Sequence, residues 1–167
     1  MQGPRILLGE QFYRMVNPGV EVPEAGVVVH GLRPSDVAAG EDPARVLSDL
    51  ESFIGDAVLV GHFVSIDLAV LRKEFAATGN SLLNSAIDTA RVQNWLLRRG
   101  PCTDEIIHRL DNLDLFSLAE FYSLEIDAAH HALGDAFLTA RLWQKMIYSL
   151  EAAGVRSLRE ALRLARS

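Results

Sequence analysis

Cysteine is nearly absent from this sequence, since Cys102 is the single one among 167 residues. One cysteine cannot close an intrachain disulfide or build a zinc cluster, and it favours a reducing compartment. No apolar run approaches the roughly 20 residues that a membrane helix needs. The opening residues also lack the apolar core of a signal peptide. These absences exclude a disulfide scaffold and a membrane-spanning protein, and they predict a cytoplasmic protein.

Positive charge is scarce as well, because 16 Lys and Arg stand against 22 Asp and Glu, which gives a net charge of −6. A protein that coats nucleic acid regardless of sequence usually carries a basic face, so that class is disfavoured. An enzyme that holds a strand end through metal ions remains compatible with an acidic chain. A role of the charge in solubility alone is an equal alternative.

The remaining composition is that of a globular protein, with 49% hydrophobic and 23% charged residues. The length fits one domain, which we expect to occupy residues 1–167. No internal repeat, low-complexity tract or linker divides it. A capping box at Ser157-Leu158-Arg159-Glu160 predicts a C-terminal helix over residues 156–167.

Hydrophobic periodicity predicts a mixed α/β domain. The apolar run at 57–61 is typical of a strand buried on both faces. A second strand is expected at 86–87, and an N-terminal hairpin is expected from 6–8 and 11–16. Helices are expected at 43–54, 66–77, 88–99, 114–122 and 132–153. In the long helix at 132–153, the predicted apolar stripe contains Ala132, Leu133, Ala136, Phe137, Ala140 and Trp143.

The first segment with chemical potential lies where the strand at 57–61 meets the next helix. The strand ends at Gly61, and Asp67 falls in the first turn of the helix. Functional groups of α/β sheets cluster at such strand-to-helix corners. The helix dipole also favours an acidic residue there, so this segment alone favours a helix cap over a ligand.

The second segment is the start of the helix at 132–153. His130 and His131 precede it and Asp135 lies in its first turns, which can place a base beside a metal ligand. The i, i+4 spacing favours His131 with Asp135, whereas a helix that begins near Ala132 leaves His130 in a loop above the site. A polar helix start without function is an equal alternative.

Together the two segments resemble motifs of the DEDDh exonucleases, the family typified by the proofreading epsilon subunit of bacterial DNA polymerase III. The residues from His62 to Asp67 are similar to the family's His-Asn-x-x-Phe-Asp, and 130–136 to its His-x-Ala-x-x-Asp-Ala. The second match selects His130 over His131. Weaker similarities at 12–18, 25–32, 88–89 and 115–126 follow in the family's order, so the resemblance covers residues 5 to about 148.

The resemblance implies an RNase H-like fold with three layers, α/β/α. It implies hydrolysis of phosphodiester bonds at nucleic-acid 3′ ends, with DNA favoured over RNA, by two Mg²⁺ or Mn²⁺ ions. The implied partners are single-stranded DNA or RNA 3′ ends and a polymerase or fused domain.

The resemblance also implies roles for individual residues. Asp67 and Asp135 would be metal-site carboxylates, and His130 would be the general base. His30, His62 and Phe63 would contact the substrate. Phe63 stands where the family usually has Asn, which we expect to alter the shape of the pocket more than metal binding.

The family's first motif, Asp-x-Glu on the central strand, is missing. Asp49-Leu50-Glu51 has the right letters, but it lies in the predicted helix at 43–54. Residues two apart diverge by roughly 200° on a helix, so Asp49 and Glu51 should face solvent. Two carboxylates, Asp67 and Asp135, cannot offset two dications. The sequence therefore predicts weak binding of a single ion and negligible hydrolysis by the 167-residue chain.

The missing strand admits two explanations. The start of a longer protein is truncated or misplaced at Met1, or the protein is a naturally inactive relative that serves as a binding or regulatory module. Truncation is favoured because Asp67, His130 and Asp135 are all present. An α/β interaction domain with chance motif matches is a third reading. Loss of the central strand would leave the neighbouring sheet edges unpaired, and unpaired edges recruit other strands, so we expect self-association or a rearranged sheet.

Overall fold

The computed structural model describes residues 1–20, 32–99, 112–126 and 131–164. The predicted site residues His30 and His130 lie outside the described residues, as does Cys102. The described strands are β1 (Leu59–Gly61) and β2 (Ala86–Asp88). The described helices are α1 (Pro34–Ala38), α2 (Pro43–Ile54), α3 (Ser65–Ala77), α4 (Thr89–Arg99), α5 (Leu115–Phe121), α6 (Ala132–Ala152) and α7 (Leu158–Leu164).

The two strands form a parallel pair. Leu59 lies opposite Ala86, and Gly61 lies opposite Asp88. Parallel neighbours need a crossover connection, which α3 and the residues around it supply. Both strands were predicted from their apolar runs, and the parallel pairing brings their carboxyl ends to the same edge of the sheet.

Helices cover both faces of this sheet. Val60 and Ile87 point into a core cluster built with α4, α5, α6 and α7. Leu59 and Ala86 point the other way, into a smaller cluster built with α2 and α3. Successive strand residues face opposite sides of a sheet, so the strands lie between two helical layers. The α/β fold expected from the sequence is confirmed.

The long helix α6 supplies most of the larger cluster. Leu142 and Met146 are fully buried, and Leu138 and Leu150 are nearly so. The spacing of three to four residues places all of them on one face of the helix. The predicted stripe is only partly correct. Trp143 is buried and Leu133 and Ala140 are half-buried, whereas Phe137 is 38% exposed and Ala132 and Ala136 also face solvent.

The predicted N-terminal hairpin is wrong. Within residues 1–20 the structure has isolated bridges only, from Gln2 to Arg5 and from Val16 to Glu41. Val16 pairs with Glu41, two residues before α2, instead of with residues 6–8. This pairing is tight, since a Cβ on Gly40 would lie 2.6 Å from the Asn17 nitrogen. The contact with Gly40 and Glu41 is long-range, so local strand propensity could not show it.

Strand β1 was predicted to be buried on both faces, but all three of its residues are half-buried. In β2, by contrast, Ile87 is fully buried and Asp88 is 6% exposed. Because helices cover both faces, the exposure of β1 comes from its second edge, which pairs with no strand in the described part of the chain. Self-association through this edge stays a prediction.

Helix ends follow their capping residues. The Asp42 side chain accepts a hydrogen bond from the Arg45 nitrogen at 3.0 Å, which caps α2. At α7 the Ser157 nitrogen donates to Glu160 Oε2 at 3.0 Å and the Glu160 nitrogen donates to Ser157 Oγ at 3.3 Å, so the predicted capping box is confirmed. None of the described helices combines the length and apolar character that a membrane crossing requires.

Candidate functional site

The chain turns sharply between β1 and α3, and glycine makes the turn feasible. A Cβ on Gly61 would lie 2.6 Å from Val64 Cγ2, too close for any other residue without a shift of the Val64 side chain. Two residues after Gly61, Phe63 adopts φ = +52°. That left-handed conformation is uncommon for residues other than glycine, and it is strained for bulky ones.

A buried carboxylate fixes this turn. Asp88 ends β2, and its Oδ1 accepts hydrogen bonds from the backbone nitrogens of Phe63 at 3.2 Å and Ala90 at 3.0 Å. Asp88 therefore ties the end of β1 to the start of α4. The sequence placed Asp88 at the start of the predicted helix at 88–99 and within the family similarity at 88–89. Its position directly after an apolar strand was the available signal for this second role.

His62 turns inward from the same corner. Its Nδ1 lies 2.9 Å from Thr89 Oγ1, and that hydroxyl donates to the Gly61 carbonyl at 3.2 Å. Nδ1 donates to this hydroxyl or accepts from it, according to which ring nitrogen carries the proton. Nε2 is buried and has no hydrogen-bond partner among the described residues.

Burial favours the neutral form of this histidine. Desolvation lowers the pKa of His62 below its ordinary value, and it outweighs the opposing effects of the Leu113 carbonyl and of the Asp88 and Asp114 carboxylates. The His62 ring is therefore neutral over a wider pH range than a free imidazole.

Asp135 lies in the first turn of α6, and its side chain is incompletely satisfied. Oδ1 is buried and has no hydrogen-bond partner in the described ranges of the chain. A buried polar atom without a partner is destabilising by about 1–3 kcal/mol. A carboxylate oxygen held in this way is suited to bind a cation or a proton donor.

The described residues do not complete a metal site. Asp67 lies in the first turn of α3, as the sequence predicted, and its side chain is exposed. No group of three or more His, Cys, Asp or Glu that could hold a metal ion occurs among the residues described. Asp135 fits a metal ligand, but the set as a whole does not fit a two-ion site. Asp49 and Glu51 are exposed on α2, as predicted.

His131 does not serve as the partner of Asp135 that helical spacing suggested. It precedes α6 and makes no side-chain capping bond. Its exposed ring stacks on Tyr13, with the ring centroids 5.3 Å apart and the planes 26° apart. This contact and the bond from Gln144 Nε2 to the Pro4 carbonyl at 2.7 Å hold the N-terminal segment along α6.

Relatives of known type match nearly the whole chain. A DNA polymerase III subunit epsilon-like protein of Rhodobacter capsulatus is 31% identical over 90% of this chain, which covers 20% of that relative. The DNA polymerase III subunit epsilon of Aquifex aeolicus is 26% identical over 86% of this chain and 67% of its own length. A PolC-type DNA polymerase III of Caldanaerobacter subterraneus subsp. tengcongensis is 26% identical over 90% of this chain, which spans 10% of that protein.

The sequence profile of the exonuclease family matches residues 5–143. This range contains the turn after β1, the buried Asp88 and the start of α6 with Asp135. Exonuclease domains of this family generally use divalent metal ions. Because the profile covers most of the 167 residues and the relatives carry epsilon-type names, this chain belongs to the exonuclease family, in its DNA polymerase III epsilon-like group.

Proposed function

We propose that this chain is a 3′–5′ exonuclease domain that acts on single-stranded nucleic-acid 3′ ends, with DNA as the favoured substrate. The family supports the reaction type, and the names of the relatives support a link to DNA polymerase III. The observation that carries the proposal is the buried Oδ1 of Asp135, which has no partner among the described residues and lies within the matched range.

Each predicted site residue has a role in this proposal. Asp135 and Asp67 would hold a divalent ion, Mg²⁺ or Mn²⁺, which would stabilise charge on the phosphate and lower the pKa of a bound water. His130 would take the proton of the attacking water. His30, His62 and Phe63 would contact the terminal nucleotide.

The chain of 167 residues should be inactive or severely impaired. Its one Asp-x-Glu, at 49–51, lies exposed on α2 and not on a strand. Two ions about 4 Å apart repel each other, and two carboxylates leave that repulsion largely uncompensated. We therefore expect weak binding of one ion at Asp135 and negligible hydrolysis. In a longer protein that supplies Asp-x-Glu on a neighbouring strand, the same residues would be catalytic.

A binding or regulatory module is the second candidate function. Asp67 is exposed, and no cluster of metal-ligating side chains occurs among the described residues. Both observations favour a domain that keeps the fold without catalysis. Such a module would still hold 3′ ends, or it would dock on a polymerase or a fused domain in the cytoplasm. The names of the relatives favour a polymerase as the docking partner.

The direct test uses a 5′-labelled single-stranded DNA, the 167-residue chain and Mn²⁺, with shortening from the 3′ end resolved on a gel. We expect no shortening. Asp135→Ala removes the proposed ligand, and Asp49→Ala removes an exposed carboxylate on α2 as the matched control. Shortening that survives Asp49→Ala but disappears in Asp135→Ala would overturn the predicted inactivity. Shortening that survives both would assign the activity to a contaminant and not to Asp135.

The reaction type is tested on the protein as its source cells make it. Its intact mass is compared with the 18.4 kDa of this chain. A longer form that carries Asp-x-Glu should degrade 3′ ends with Mg²⁺ or Mn²⁺, and Asp135→Ala should abolish the degradation. A longer form with that motif and no degradation would refute the exonuclease proposal. A mass equal to that of the 167 residues would favour the binding module.

A further inference from the structure

Phe63 combines two features that neither packing nor backbone preference explains. Its backbone has φ = +52°, where a bulky side chain is strained. Its side chain is also 45% exposed, so the ring gains little from burial. Glycine or asparagine would suit this backbone and this exposure better. An aromatic ring held at such a position calls for a functional explanation.

The surrounding residues hold this conformation in place. The buried Asp88 accepts the hydrogen bond of the Phe63 nitrogen, and Gly61 leaves room for Val64 to pack against the turn. Val64 belongs to the smaller core cluster, so α3 anchors the far side of the turn. The Phe63 ring also contacts the inward-facing His62 ring at 4.5 Å between centroids, with the planes 65° apart. The ring is thus presented from a rigid base at the carboxyl end of β1.

The charges around this corner select the kind of ligand. Asp67 is exposed nearby in the sequence, and the Asp88 and Asp114 carboxylates act on His62. Together with the net charge of −6, they disfavour a grip on phosphates through cationic side chains. An aromatic ring binds without charge complementarity, because every nucleobase has a π face on which it can stack.

We infer that Phe63 is a base-stacking residue whose exposed ring receives the 3′-terminal nucleobase of single-stranded nucleic acid. This inference rests on the proposed function and specifies how the site holds its substrate. It needs neither Asp-x-Glu nor hydrolysis, so it applies to an active domain and to a binding module alike. Stacking also predicts a binding constant that depends weakly on salt, because few phosphates are neutralised.

The test measures binding to the 167-residue chain in EDTA, where no hydrolysis can occur. The probe is a short single-stranded DNA with 2-aminopurine as its 3′-terminal base, whose fluorescence falls when the base stacks. Phe63→Asn should weaken binding about tenfold and remove the quenching, as expected for the loss of one base stack. The slope of binding against salt should stay unchanged, and the melting temperature should stay level or rise because the strain is relieved.

Two further variants separate stacking from a structural role. Phe53→Asn makes the same chemical change at another exposed phenylalanine, 49% exposed on α2, and should leave binding unchanged. Phe63→Tyr keeps the ring and should bind like the wild type, so the inference remains testable if Phe63→Asn does not fold.

Three results would overturn the inference. The first is wild-type binding and quenching in a folded Phe63→Asn, which would leave the proposed exonuclease function standing. The second is equal quenching with 2-aminopurine at the 5′ end, which would remove the assignment to the terminal base. The third is no binding of the DNA by the wild-type chain, which would count against the proposed function as well.

Discussion

Replacing Asp88 by alanine should destabilise the fold strongly, although the resemblance implies no catalytic or metal-binding role for it. Its carboxylate is buried, with 6% exposure, and it accepts hydrogen bonds from the nitrogens of Phe63 and Ala90. Asp88→Ala leaves both donors without this acceptor. Asp88→Asn keeps one oxygen that can accept from both nitrogens, so it is the conservative control.

The magnitude follows from the two bonds. A hydrogen bond to a charged group contributes about 1.5–3 kcal/mol. The alanine variant also escapes the desolvation penalty of a buried carboxylate, so we expect a loss of about 3 kcal/mol in the free energy of unfolding. The strained Phe63 offsets part of the two hydrogen bonds, because its left-handed conformation, unfavourable by roughly 1–2 kcal/mol for a residue other than glycine, can relax once Asp88 no longer holds it. With glycine at position 63 there is no strain to release, so the loss from Asp88→Ala should grow by about 1 kcal/mol.

Urea denaturation of Asp88→Ala, Phe63→Gly and the double variant measures this coupling in a double-mutant cycle. Additive effects would show that Asp88 does not hold the Phe63 conformation. A loss below about 1 kcal/mol in the free energy of unfolding for Asp88→Ala would refute the contribution assigned to the two hydrogen bonds.

Two further predictions concern the same corner. Burial lowers the pKa of His62 in the folded protein, so the unfolded protein binds more protons at this residue in mildly acidic solution. The contribution of His62 to the free energy of unfolding is therefore full above about pH 6.5 and is lost as the pH falls. Melting temperatures between pH 5 and 8 should show this loss in the wild type and in the control His131→Gln, but not in His62→Gln. Equal pH profiles in all three proteins would contradict the role of His62. Gly61→Ala should lower the free energy of unfolding by about 1–3 kcal/mol, since its Cβ would meet Val64 at 2.6 Å. Gly9→Ala has open space and should be close to neutral in the same urea titration, and equal effects of the two would refute the steric argument.

The candidate site was only partly predictable. The letters of the motifs indicated Asp67 and Asp135, and helical geometry correctly placed Asp49 and Glu51 on an exposed helix face. The position of Asp88 after an apolar strand was a signal for burial, but its hydrogen-bond donor, the Phe63 nitrogen 25 residues earlier in the chain, was not predictable. Such a contact appears only once β1 and β2 pair. Whether Asp67 and Asp135 act together, as the motifs imply, stays a prediction.

The expected N-terminal hairpin and the apolar stripe of α6 show why parts of the fold were missed. Residues 11–16 have the composition of a strand, but Val16 bonds with Glu41 and not with the adjacent segment. In α6, apolar residues occur around much of the helix, so the sequence offers more than one plausible buried face. The structure buries the face of Leu142 and Met146 because α4, α5, α7 and the sheet lie on that side.

The sequence by itself determined the local elements of this protein, because caps such as Asp42 and runs such as 57–61 act through neighbouring residues. It also determined the family, because the order of the motifs is a property of the letters alone. Tertiary structure alone decided which groups are buried, strained or left without a partner. Those properties depend on segments far apart in the chain. Examples are the buried Asp88, the strained Phe63 and Asp135 Oδ1, which has no partner in the part of the chain that the structure describes.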